Sequence, residues 1–301
     1  MEDFFHHENQ SYPPSLSRFG NLRSRTKVDL LNCPQKTSPV PSDDVPTVDA
    51  ILLDGAAIIN MLPPGPVTTF TYYSETGFLP YVQSQLRKAN RVEIVWDKYI
   101  PNSLKSMTRQ KQGKGTRRQV EPETKIPGNW KAFLSIDENK MELFAFLAQQ
   151  CTQIHTDGKV VSTLGKLTIL NSQTEDTIRL SPCTHEEPDT RILLHAADAS
   201  CSGCKQIMLR TVHTDVVVLS IELFTQINVT ELWVLFGTGK NCRLIPVHTI
   251  SKTFPPCSTP SQVVIKLLSF LIEERTVPCK QVRHPRQLQT PLQFSVEPHH
   301  Q

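Results

Sequence analysis

Five carboxylates in this sequence stand where they could jointly hold divalent cations. Asp54 closes the apolar run Ala50-Ile51-Leu52-Leu53, Asp97 closes Val92-Glu93-Ile94-Val95-Trp96, and Asp215 follows the run Gln206 to Val212 after His213 and Thr214. Glu187 and Asp189 open a helical pattern between the second and third of these runs. Carboxylates that converge on one crevice repel each other unless cations sit between them. The natural cation is magnesium or manganese, because hard divalent ions prefer carboxylate and water oxygens. Two such ions roughly 4 Å apart activate a water and stabilise the leaving oxygen of a phosphodiester, so nucleic-acid cleavage is the chemistry this set suggests. Taken singly, each acid has a plainer role: turn closure for Asp54, helix capping for Asp97, and satisfaction of a helix N-terminus for Glu186, Glu187 and Asp189. Recurrence favours the joint reading, since three separate runs deliver the same residue type and the one strongly acidic helix start falls between two of them.

Such acids need elements that bring them to one place. A short apolar run closed by an acid reads as a buried strand carrying a carboxylate at its C-terminal end, where ligands gather in open α/β sheets. Helical patterns at Tyr81 to Ala89, Met141 to Leu147 opened by Asp137, Thr184 to Ala196 with Pro188 in its first turn, and Asp215 to Leu223 alternate with these strands. Lys159-Val160-Val161 and Leu167 to Leu170 read as a hairpin, and Glu231 to Phe236 turns at Gly237-Thr238-Gly239 into Arg243 to Val247. The alternation predicts an α/β domain over residues 48–254, with a mostly parallel, twisted central sheet and helices on both faces. Residues 1–47, with Pro13, Pro14, Pro34, Pro39, Pro41 and Pro46 among Ser, Asn and Thr, are expected to form a flexible tail. Residues 255–301 read as a divergent or truncated tail in which Val263 to Ile272 could form an apolar helix.

The formal charge of +3 is too small to name a partner. Local charge says more: Arg109, Lys111, Lys114, Arg117 and Arg118 lie within ten residues of one another, after the second acid-tipped run. Residues 102–118 are expected to be a basic helix, or an arch that orders on binding, holding a nucleic-acid backbone; the bland alternative is a solvated face. No stretch approaches a membrane span, and the first thirty residues contain no apolar signal region. Eight cysteines without dense regular spacing point to reduced thiols, and an intracellular location, nuclear or cytoplasmic, is expected. Phe236-Gly237-Thr238-Gly239-Lys240-Asn241 lacks the spacing of a phosphate loop and reads as a hairpin turn, so no nucleotide cofactor is expected. Cys201 and Cys204 have the spacing of half a zinc site without a second pair. His185 and His195 lack zinc-helix spacing, and His195 reads as partly buried. Trp96, Trp130 and Trp233 read as core residues, Trp130 being the best placed of them for base stacking.

The order of these motifs resembles the PIN-like, flap-endonuclease-type nucleases: Leu53-Asp54, then Val95-Trp96-Asp97 with a basic segment, then Glu187-Pro188-Asp189, then a strand leading to an Asp-x-Asp pair. It is most similar to transposon-associated animal proteins that carry a His-Glu-Glu-Ala-Asp-Thr-Arg segment and a Thr-Val-Asp-Thr-Asp-Val-Val-Val-Leu segment, over residues 49–250. The resemblance implies Asp54, Asp97, Glu187, Asp189 and Asp215 as catalytic metal ligands for magnesium or manganese, with His213 as a further ligand. It implies Arg109 to Arg118 as the phosphate-backbone contact. Three departures stand out. His213 replaces the first acid of the Asp-x-Asp pair, Pro188 replaces a small residue, and Thr253-Phe254-Pro255-Pro256-Cys257 stands where such relatives have a Gly-Cys-Asp segment. The expectation is a divergent nuclease-type protein with impaired catalysis; the alternative is a non-catalytic nucleic-acid-binding or protein-interaction module, or a remnant of a mobile element.

Overall fold

Strands without polar alternation need cover on both faces, and the computed structural model of the chain supplies it. The structure describes residues 17–18, 21–22, 46–66, 69–98, 115–172, 180–183, 188–239 and 242–253. All lie in the unit Met1–Pro256; the second unit, Cys257–Gln301, falls outside the described residues, and with it the apolar run from Val263 to Ile272. Within the stretch expected to be a tail, β1 (Ser17–Arg18) pairs antiparallel with β2 (Asn21–Leu22).

The main sheet contains β3 (Ala50–Asp54), β4 (Arg91–Val95), β5 (Lys159–Leu164), β6 (Leu167–Leu170), β7 (Gln206–Thr211), β8 (Glu231–Phe236) and β9 (Arg243–Pro246). Its order is β6-β5-β4-β3-β7-β8-β9. The five inner strands are parallel, and the two edge strands, β6 and β9, are antiparallel returns of hairpins. The fold is thus α/β with a mixed, mostly parallel sheet. From β3 the chain moves out to β4 on one side, and from β7 it moves out to β8 on the other. The connections diverge between β3 and β7, and a crevice at that reversal point is where such sheets place ligands.

On one face lie α1 (Gly55–Met61), α2 (Phe70–Tyr73), a π-helical turn (Ser74–Phe78), α3 (Leu79–Leu86), α4 (Trp130–Leu134) and α5 (Asp137–Cys151). They close over Ile51, Leu53, Val92, Ile94 and Trp96 with an aromatic-rich core that includes Phe70, Tyr73, Phe78, Phe133 and Phe144. On the other face, α6 (Pro188–Cys201), α7 (Thr214–Gln226) and α8 (Val247–Thr253) cover Ala50, Leu52, Val95, Leu209 and Val234. Alternate residues of β3 therefore serve opposite cores, as the strand period of two requires. The helix expected from Tyr81 begins at Leu79, with Pro80 in its first turn, where a missing N–H costs nothing.

The face of β4 toward α6 is not apolar throughout. Arg91 donates from Nε to Glu93 Oε1 at 2.6 Å and from a terminal nitrogen to Asp198 Oδ2 at 2.5 Å, while His195 Nδ1 lies 2.6 Å from Glu93 Oε2. Glu93 and His195 are both completely buried. This corrects the expectation for His195: it is not partly buried but locked inside, because helix spacing puts His195 and Asp198 on the face that meets Arg91 and Glu93. Arg191, on the same stripe, donates to the carbonyls of Gly165 at 2.6 Å and Leu167 at 3.0 Å. Helix α6 is thus tied to both β4 and the β5–β6 turn.

Candidate functional site

Asp54 ends β3 and starts α1 at once. Its Oδ1 accepts the Ala57 N–H at 3.0 Å, so it is the N-cap of the helix, and its Oδ2 accepts the Thr211 hydroxyl at 3.1 Å from the end of β7. The next residue has to be glycine. A Cβ at Gly55 would collide with the Trp96 indole ring, which lies against the helix start. Trp96 is itself fixed: its backbone N–H donates to Thr163 Oγ1 at 2.8 Å, its Nε1 donates to Ser162 Oγ at 3.0 Å, and its ring stacks on Phe144 with centroids 4.8 Å apart. This close fit sets Asp97, the residue after Trp96, beside Asp54.

The charges respond to that proximity. Burial first, then the Asp97 carboxylate, push the Asp54 carboxyl up from 3.8 to about 6, against the opposing pull of the Ala57 N–H, His213 and Thr211. His213 Nε2 lies 3.6 Å from Asp54 Oδ2 at a half-exposed position. Asp97 and His213 therefore each approach Asp54 near the C-terminal ends of β3, β4 and β7, next to the reversal point. Asp215 occupies the first turn of α7 and Asp189 the first turn of α6; Glu187 lies outside the described residues. Among the described residues no three His, Cys, Asp or Glu side chains converge closely enough to hold a metal ion.

A two-ion centre needs several carboxylates facing one space. Here both Asp54 oxygens already accept hydrogen bonds, and the third member of the group is an imidazole, which suits manganese or zinc better than magnesium. The described residues do not complete a two-ion shell.

The basic segment falls largely outside the described residues: Arg109, Lys111 and Lys114 are not among them. Where the segment becomes described it is not helical. Arg117 is exposed but engaged, its guanidinium pairing with Glu142 at 2.5 Å and donating to Asn139 Oδ1 at 2.9 Å. The fully buried Asn139 also accepts the Arg118 backbone N–H at 3.1 Å and donates to the Thr116 and Phe133 carbonyls. Arg118 is exposed, and its guanidinium makes no ion pair among the described residues.

Three residues escaped the sequence reading. Thr211 bonds Asp54, and the signal for it was a hydroxyl residue at the end of the neighbouring strand. Glu93 and Arg91, charged residues in an otherwise apolar central strand, were a signal of partners across the core. The turn at Gly237 and Gly239, both at positive φ, joins antiparallel β8 and β9 and is a hairpin turn. No helix among the described residues is long and apolar enough to cross a membrane. Comparison of the chain with protein-family models and with curated proteins finds no match.

Proposed function

We propose that this chain is a divergent PIN-like, nuclease-type protein that engages nucleic acid at the strand ends and has weakened metal-dependent phosphodiesterase chemistry. One observation supports the reading above others: Asp54 and Asp97, far apart in sequence, stand at the ends of adjacent parallel strands, where burial first and the Asp97 carboxylate second raise the proton affinity of Asp54 to about 6. A divalent cation placed between the two acids would relieve the part of that shift that comes from Asp97 and release the proton. The order Asp54, Asp97, basic segment, Asp189, Asp215 follows the nuclease pattern, and His213 in place of an acid accounts for weakened catalysis and for manganese over magnesium.

The test is cleavage of single-stranded and branched DNA and RNA by the full chain with manganese. Slow cleavage abolished by Asp54→Asn is the expected result, and cleavage that persists in that variant removes the site. A non-catalytic nucleic-acid-binding module is the second reading. It is favoured by the lack of a three-ligand group among the described residues, and it predicts salt-sensitive binding with no turnover in any divalent metal.

A further inference from the structure

Next to the carboxylate pair the molecule contains a cavity of about 270 Å³ that the metal chemistry does not use. Its walls are Trp96, Met141, Phe144 and Leu164, with Thr163 and Asp97 as polar groups and Lys98 at the same site. We propose that this cavity receives one unstacked nucleobase of a single-stranded nucleic acid, with the adjoining phosphate toward Lys98. The inference rests on the nucleic-acid reading above and adds the part of the substrate that is held.

Size argues for a single base. Pockets for drug-sized ligands run from about 300 to 1,000 Å³, so this one suits a planar heterocycle and not a whole dinucleotide. Its chemistry argues the same way. Met141, Phe144 and Ala145 stand at i, i+3 and i+4 on α5 and present one face of the helix to the cavity; a thioether and aromatic groups make favourable contacts with a flat π-system. The Thr163 oxygen accepts the Trp96 N–H, which leaves its own proton to donate to a ring nitrogen or carbonyl. A carboxylate accepts from amino or imino N–H groups, and Asp97 supplies one. The cation of Lys98 suits the phosphate that follows. An apolar peptide side chain would fill the cavity without using Thr163, Asp97 or Lys98, and so fits it less well. Room exists because residue 145 is alanine.

Two measurements on the full chain decide the matter, both without added metal. The first is saturation-transfer NMR with adenosine and with thymidine, which carry no phosphate and need no cation. Binding is expected in the wild type, and loss is expected in Ala145→Phe, whose ring occupies the cavity. The second compares wild-type affinity for a single-stranded oligonucleotide and for the same strand with abasic residues, where an about tenfold weaker Kd is expected without the bases. The abasic comparison requires no variant to fold. Equal affinity for the two strands, or absence of nucleoside binding to the wild type, overturns the base pocket even if the chain cleaves nucleic acid. Nucleoside binding that Ala145→Phe abolishes upholds the pocket even if no cleavage is found, so the two proposals fail separately.

Discussion

Asp54 carries opposed demands in one side chain. It caps α1, bonds Thr211 and sits beside Asp97, nearly out of contact with water. Because its folded proton affinity is raised, the native state binds more protons than the unfolded chain between pH 3.8 and about 6. Stability contributed by this group is therefore fully present below the unfolded value, declines as pH rises through that window, and is absent above it. The difference corresponds to about 3 kcal/mol. Asp54→Asn keeps an oxygen for the Ala57 N–H and removes the charge, so it should raise Tm at pH 7.5 and lose that advantage at pH 4 in calorimetric scans. Equal effects at both pH values would show that the carboxyl is not strained by burial and Asp97. Gly55 makes the complementary case. In an open helix Gly→Ala stabilises by about 1 kcal/mol, yet here the added carbon meets the Trp96 ring. Gly55→Ala should instead destabilise by about 1–3 kcal/mol in urea titrations, and a stabilised variant would mean that Trp96 yields freely. The sequence made Asp54-Gly55 conspicuous as a strand end; that the glycine makes room for an indole from the next strand was not written in it.

At the scale of elements, α6 is held by buried charge. Burial pushes the Glu93 carboxyl up, but the His195 hydrogen bond and the Arg91 guanidinium outweigh it and hold the group below its ordinary value. A depressed carboxyl contributes stability above its unfolded pKa that is lost as pH falls through the folded one. Removing it strands two buried partners. Glu93→Ala should cost about 3–5 kcal/mol, with hydrogen-exchange protection lost first in α6, the helix whose first turn carries Asp189. A cost below 1 kcal/mol, or protection lost evenly across the sheet, would rule out this clamp. Period and length made the longer helices legible, α3, α5, α6 and α7. The turns from Phe70 to Phe78 were not, because their aromatic side chains become a helical face only when the sheet and α4 supply a surface to bury them against.

For the molecule as a whole, charge distribution and not net charge bears on the partner. Arg117 is engaged with Glu142 and Asn139, whereas Arg118 points into solvent. If the nucleic-acid reading holds, Arg118→Ala should weaken single-stranded DNA binding and reduce the slope of log affinity against log salt by about one. Arg117→Ala should act mainly on the order of residues 115–120, measurable by proteolysis of that segment. An unchanged slope in Arg118→Ala would take that side chain out of the interface. The sequence by itself determined the alternation of strand and helix, the hairpins at both edges of the sheet and the acids at strand ends, because these follow from local periodicity and turn chemistry. Tertiary structure alone decided which acids meet. Strand order puts β3 between β4 and β7 and so brings Asp97 and His213 to Asp54. Arg91 and Glu93 signalled buried partners, but which ones was closed to sequence, since Asp198 and His195 lie about a hundred positions away along the chain and a few ångströms away in space.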